Sequence, residues 1–234
     1  MSNNKYHQWT AVLVHAAWAD GSSWNKVIVS LRELGFQVRS AQIPLTGLSD
    51  DVTALKRLLA QVEGPVLLTG HSYAGAVITA VATDHANVKA LIYIAGMAPD
   101  QGETVGTLFH RVPPHPQAPQ LRPDPDGFLW LEPQAFIAAV APDASLEEAM
   151  LMYATQRPIA LKCLGEAMTE PAWKRKPSWF LLAENDRMIS PSTQRFMAER
   201  IGARIHALNV DHTPLASAPE TVVRIITEAA DASV

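Results

Sequence analysis

The sequence predicts an α/β fold: a doubly wound, mostly parallel six-stranded sheet with an inserted helical lid. Three observations carry that prediction. Short apolar, β-favouring runs alternate with segments of helical periodicity up to Ile94, and alternate again from Ser178 onward. One junction, Gly70-His71-Ser72-Tyr73-Ala74-Gly75, has the form of a sharp strand-to-helix turn with a serine at its apex. Between the two alternating stretches the regularity fails, with seven prolines from Pro113 to Pro133.

Taken in order, Trp9 to Val14 is an apolar run suited to a parallel strand buried on both faces, ending at His15. Trp24, Val27, Ile28, Leu31 and Leu34 then recur at helical spacing, with Ser22 or Ser23 as cap and Gly35 as a left-handed stop. Phe36 to Ile43 reads as a second strand closed by Pro44. Leu55, Leu58, Leu59 and Val62 mark a second helix ended by Gly64. Pro65 to Thr69 is the third strand, the helix from Ser72 to about Asp84 follows, and Val88 to Ile94 is the fourth strand.

Residues 100–176 are too long for a structureless loop in a compact domain, so they are expected to fold as a lid. Helical patches fall at Pro133–Val140, Ser145–Thr155 and Pro158–Met168. Residues 1–99 and 177–234 then form one core. In its second part, Ser178 to Ala183 is a strand, and a helix follows with Pro191 in its first turn and Gly202 at its end. Arg204 to Val210 is the last strand, and Val222, Ile225, Ile226 and Ala229 space a final helix entered through Pro219.

The 234 residues are 48% apolar and 18% charged, a globular composition. No apolar run approaches the roughly 20 residues of a membrane span, and the polar start from Met1 to Gln8 lacks a signal-peptide core. A cytoplasmic protein is expected. The net charge of −4, without basic runs, argues against nucleic acid and for a small, not strongly acidic partner. The single cysteine, Cys163, lies in an apolar helical context that suits a buried, inert thiol. Oligomeric state stays open, a homodimer included.

In doubly wound sheets the site lies beyond the carboxyl ends of the strands. The polar residues there are His15, Ser72, Asp100, Asp186 and His212. A serine hydroxyl is a poor nucleophile until an imidazole takes its proton and a carboxylate orients that imidazole. His212 supplies the imidazole, and Asp186 or Asp100 the carboxylate.

Four segments carry a family resemblance: His15-Ala16-Ala17-Trp18, the serine turn, Glu184-Asn185-Asp186-Arg187-Met188-Ile189, and Asp211-His212-Thr213-Pro214. Through its whole length the chain resembles the α/β-hydrolases, and within them the small branch of plant methyl-ester esterases, hydroxynitrile lyases and many bacterial hydrolases. That resemblance implies Ser72 as nucleophile, His212 as general base and then acid, and Asp186 as orienting carboxylate. It also implies an oxyanion hole made by the N–H groups of Ala17 and Tyr73. Ala16, Trp18, Trp130, Phe136 and Met152 are expected to line the substrate pocket. No cofactor and no metal are expected.

Other polar residues receive plainer readings. His15 is expected to hydrogen-bond neighbouring loops, His71 to pack inside the turn, and Asp211 to be a solvated surface acid. His110 and His115 lack the acidic or cysteine neighbours of a metal site. Ala16 stands where the resembling family usually has glycine, which places a methyl near the oxyanion region. Hydroxynitrile lyases of that family carry a threonine there and a lysine after the catalytic histidine, where this chain has Ala16 and Thr213. The expected activity is therefore hydrolysis of a carboxylic ester of a small to medium, fairly hydrophobic substrate through an acyl-serine. Two alternatives are a cofactor-free C–C lyase on the same scaffold and a non-catalytic small-ligand receptor.

Overall fold

The computed structural model describes residues 5–233. In chain order the elements begin with β1 (Thr10–Val14), α1 (Asn25–Glu33), β2 (Gln37–Ala41), α2 (Leu48–Leu59), β3 (Val66–His71), α3 (Ala74–Val81) and β4 (Val88–Ile94). An insertion follows, comprising α4 (Val105–Phe109), β5 (Phe128–Leu129), α5 (Pro133–Ala139), α6 (Leu146–Ala154), β6 (Ile159–Ala160) and α7 (Leu161–Gly165). The chain then completes β7 (Ser178–Ala183), α8 (Pro191–Arg200), β8 (Arg204–Leu208), α9 (Pro214–Ser217) and α10 (Pro219–Ala232).

Six strands form one parallel sheet in the order β2-β1-β3-β4-β7-β8. Period-two alternation divides the central strands between two cores. Ala11 and Leu13 of β1, Leu67 of β3 and Ile92 and Ile94 of β4 face α1 and α10, where Val27, Leu31, Val222 and Ile226 are buried. Val12, Val14, Leu68 and Leu91 face the opposite way, onto α2, α3, α8 and the insertion. The chain winds outward from β1 to β2 and then crosses to β3 on the other side, so the order reverses between β1 and β3. A crevice opens at such a reversal, beyond the strand ends.

Local chemistry sets the boundaries. Asp20 caps the 3-10 turn Gly21–Trp24 that leads into α1, its carboxylate accepting the Ser22 N–H at 2.8 Å, and α1 itself begins after Trp24 with no side-chain cap from Ser22 or Ser23. Gly35 takes φ +96° after α1 as its position requires, whereas Gly64, at φ +76°, turns the chain into β3 well after α2 has ended. The expected helix over Pro158–Met168 is only α7, because Ile159 and Ala160 pair with Leu129 and Phe128 as an antiparallel ribbon.

The insertion leaves and rejoins the sheet at one narrow neck. There Lys174 pairs with Asp100 at 2.6 Å and the Trp173 indole donates to the Pro99 carbonyl at 3.1 Å. Further out, Trp18 Nε1 donates to the Leu129 carbonyl, Ala160 N–H to the Leu45 carbonyl and Arg187 to the Ala138 carbonyl. Among the described residues, no helix is long and apolar enough to cross a membrane.

Candidate active site

Ser72 stands at the tip of β3 with φ +53°, a left-handed conformation that costs a non-glycine residue about 1 kcal/mol. Its neighbours enforce the turn. A Cβ on Gly70 would lie 2.7 Å from the Ala74 carbonyl oxygen, and one on Gly75 would collide with the Met97 carbonyl. The small-residue demand therefore falls on Gly70 and Gly75, with Ala74 as the near contact of the first. The Ser72 carbonyl is fixed by the N–H groups of Gly75 and Met97 at 3.0 and 2.9 Å.

The turn presents Ser72 Oγ to His212, which follows β8, and the hydroxyl donates to Nε2 at 2.8 Å. His212 Nδ1–H donates to Asp186 Oδ2 at 2.7 Å, and Asp186 lies in the loop after β7. All three side chains are buried. Asp186 is met by donors on every side. Its Oδ1 accepts from the Met188 and Ile189 N–H groups at 2.7 and 2.9 Å, and its Oδ2 also accepts Gln194 Nε2 at 2.7 Å. Four donors around one carboxyl suit its ionised, acceptor-only form. Gln194, on α8, escaped the sequence reading because a polar residue on a helix carries no mark of what it faces.

Asp100 is not part of this arrangement. It lies at the neck of the insertion, where the Lys174 ammonium holds its carboxyl below the usual range. His15 Nε2 accepts the Ile43 N–H at 3.1 Å, so its proton is on Nδ1, which donates to the Ala16 carbonyl. Burial pushes its pKa down to about 4. His71 does more than pack: its Nε2–H donates to the His212 carbonyl at 2.7 Å, and burial pushes it down to about 3.

Asp211 corrects the surface reading, for it is fully buried. Its Oδ1 accepts from Thr213 N–H and hydroxyl, and its Oδ2 accepts the Asp143 N–H of the insertion at 3.0 Å. An aspartate that closes a turn onto the chain two residues ahead satisfies its own carboxylate locally. Here the insertion covers it as well. His115 Nδ1 accepts the Gln117 N–H, and His110 stands edge-on to Phe109.

Two cavities meet beside His212. A narrow cleft of about 30 Å³ is lined by Ser72, Tyr73, Ala17, Met97, Met188 and Ile189 among others. A wider chamber of about 450 Å³ runs between the loop after β1, α1 and α9 on one side and α5 and α6 of the insertion on the other, with Ala16, Trp18, Phe136, Val140, Leu151 and Met152 on its walls. Ala16 borders this chamber and not the cleft beside Ser72. Trp130 borders neither. It is half exposed, and its indole donates to Asp124 Oδ2 at 3.1 Å, so the hairpin around Asp124 turns it outward. The N–H groups of Ala17 and Tyr73 have no protein acceptor among the described residues.

The model described as the alpha/beta hydrolase family matches residues 11–225. A carbendazim-hydrolyzing esterase of Nocardioides sp. (strain SG-4G) is 31% identical over 116 residues, which are 44% of this chain and 48% of that protein. The chain thus matches about half the length of that curated relative. A pyrethroid hydrolase from Sphingobium faniae JZ-2 superposes with a TM-score of 0.82 at 21% identity, covering 95% of this chain and 97% of its own. Polyneuridine aldehyde esterase gives 0.83 at 18% identity, with 96% and 100% covered. A methylesterase from Arabidopsis gives 0.78 at 20% identity, with 95% and 98% covered. These likenesses establish a common fold.

Proposed function

The chain belongs to the alpha/beta hydrolase family, and from that premise we propose that it is a serine hydrolase acting on carboxylic esters. One observation carries the reading: the Ser72 hydroxyl, the His212 ring and the Asp186 carboxyl are joined in series by bonds of 2.8 and 2.7 Å. Ser72 Oγ attacks the ester carbonyl as its proton passes to His212 Nε2, and Asp186 steadies the imidazolium that forms. The Ala17 and Tyr73 N–H groups receive the negative charge on the former carbonyl oxygen. The tetrahedral adduct collapses, His212 returns the proton to the departing alcohol, and an acyl-Ser72 remains. Water, deprotonated by His212, then adds to the acyl carbon and releases the acid and free Ser72.

We read residues 100–176 as a cap over the chamber, whose apolar walls suit a hydrophobic substrate of small to medium size. The named activities of the similar proteins lend this support, since each is an esterase or hydrolase by name. A cytoplasmic setting suits a chain whose one cysteine is a buried free thiol.

Turnover of a panel of p-nitrophenyl esters tests the reading. Ser72→Ala is expected to remove turnover and fluorophosphonate labelling while the protein stays folded. Retained turnover overturns the proposal. Asp186→Asn should lower kcat by about 10⁴-fold, as the corresponding change does in a serine-histidine-aspartate triad. Asp100→Asn should leave kcat near the parent value, and the opposite outcome would reassign the acid.

A further inference from the structure

Asp51, in the first turn of α2, is fully buried, yet the reaction described above does not use it. Its Oδ2 accepts the Tyr73 hydroxyl at 2.6 Å and the Cys163 thiol of α7 at 3.7 Å, and its Oδ1 accepts the Leu45 N–H at 2.7 Å. Leu45 sits at φ +61°, and its carbonyl accepts the Ala160 N–H of β6 at 2.9 Å. One carboxyl therefore ties together three parts of the chain: the loop between β2 and α2, the insertion, and the residue after the serine.

This is a costly way to hold a tyrosine. The donors that meet Asp51 are neutral, and burial pushes its pKa up to about 6. Apolar packing of similar volume often holds such a site at least as firmly as buried charge. Stability alone gives no reason for the arrangement.

The other end of Tyr73 supplies one. Its N–H has no protein acceptor among the described residues, Tyr73 lines the cleft that holds Ser72, and α3 begins at the next residue. A ring fixed at its hydroxyl restrains the main chain to which it is attached. We propose that Asp51 is a positioning residue for the oxyanion hole, gripping the Tyr73 hydroxyl so that the Tyr73 N–H is held where negative charge develops over Ser72. The inference rests on the hydrolase reading above. Small misplacements of such donors matter, because their contribution depends on geometry set before the reaction begins.

Two variants test it. Tyr73→Phe keeps the ring and removes only the hydroxyl. Asp51→Asn keeps the volume and the oxygen that accepts from Leu45, but its NH₂ can only donate to the Tyr73 oxygen, so the charged acceptor is lost and the bond is reversed and weakened. For each, kcat and KM are measured on a p-nitrophenyl ester, together with inhibition by phenylboronic acid, which binds a reactive serine as a tetrahedral anion. Each variant is expected to lose about tenfold in kcat and a similar factor in boronate affinity, with KM changed less than about twofold. In kcat the double variant should be little worse than Tyr73→Phe, because that variant has already lost the contact through which Asp51 acts.

A purely structural role would lower thermal stability while leaving kcat and boronate affinity per folded molecule unchanged. That result in Tyr73→Phe overturns the proposal, as does a loss confined to KM, and Tyr73→Phe decides the matter if Asp51→Asn does not fold. Parent activity that Ser72→Ala abolishes and Tyr73→Phe leaves intact overturns the positioning role alone. Parent protein with neither turnover nor serine labelling overturns the hydrolase reading and this inference with it.

Discussion

Gln194 commits both halves of its amide to the site. Its Nε2 donates to Asp186 Oδ2 and to the Ile189 carbonyl, and its Oε1 accepts the Ala183 N–H at 3.0 Å. Gln194→Met fills the same space without these bonds and leaves the buried Ala183 N–H without its acceptor, which costs about 1–3 kcal/mol. We expect a matching fall in unfolding free energy by urea titration and a drop in kcat of about tenfold, with KM little changed. At this scale the serine and the histidine were legible, because each follows a recognisable strand and the chemistry limits the residue types, whereas strand position left two aspartates and only the resemblance of the segment around Asp186 favoured one. Gln194 and Asp211 were not, since their roles depend on which chain folds back over them. Trp130 failed for a related reason: a large indole in an apolar segment reads as a wall, but Asp124 offers its N–H a partner outside.

The helix α8 joins the insertion to the core through one arginine. Arg200 places both terminal nitrogens on the Glu103 carboxylate at 2.7 and 2.8 Å and also donates to the Ala98 carbonyl at 2.7 Å. Its guanidinium stacks over the Phe196 ring at 4.9 Å. A bidentate, partly buried pair is worth more than an exposed one, so Arg200→Ala should lower unfolding free energy by about 1–3 kcal/mol. Arg200→Lys should recover only part of that, because an ammonium cannot form the two parallel bonds. Urea titration of the three proteins checks both statements. Elements of this length were readable where periodicity had room to show. The strands β4 and β7 match their apolar runs, whereas α4, β5 and β6 span too few residues to display any period.

For the molecule as a whole, three buried groups of opposing sign contribute to the response to acid. His15 and His71 are held down to about 4 and about 3 by burial, against an ordinary 6.5, so the unfolded chain binds more protons than the native one below that pH. Their contribution is complete above pH 6.5 and is lost as pH falls toward 4 and 3. Asp51, held up to about 6 against an ordinary 3.8, acts in reverse and favours the native state as pH falls through 6. Among these three, the two histidines are displaced further and outweigh the aspartate. Urea midpoints should fall between pH 6.5 and 4.5, and His15→Gln should flatten that fall. None of this was visible in the sequence, where His15 and His71 are two imidazoles and burial is a property of the assembled layers. The doubly wound sheet was visible, because alternation of strand and helix leaves few other arrangements.

The neck at Asp100 and Lys174 has a consequence for how such a molecule changes over evolutionary time. Because the chain departs and returns at a single point, with β4 and β7 paired side by side, the segment between can be exchanged as a cassette without altering the register of any sheet strand. Simple deletion is a poorer route, since Phe136, Leu129 and Cys163 share a continuous core with α2 and α3 and their loss would bare that surface. Recombination that replaces one covering with another of equal apolar area would leave the serine, histidine and aspartate where they are, and would alter the chamber that borders His212.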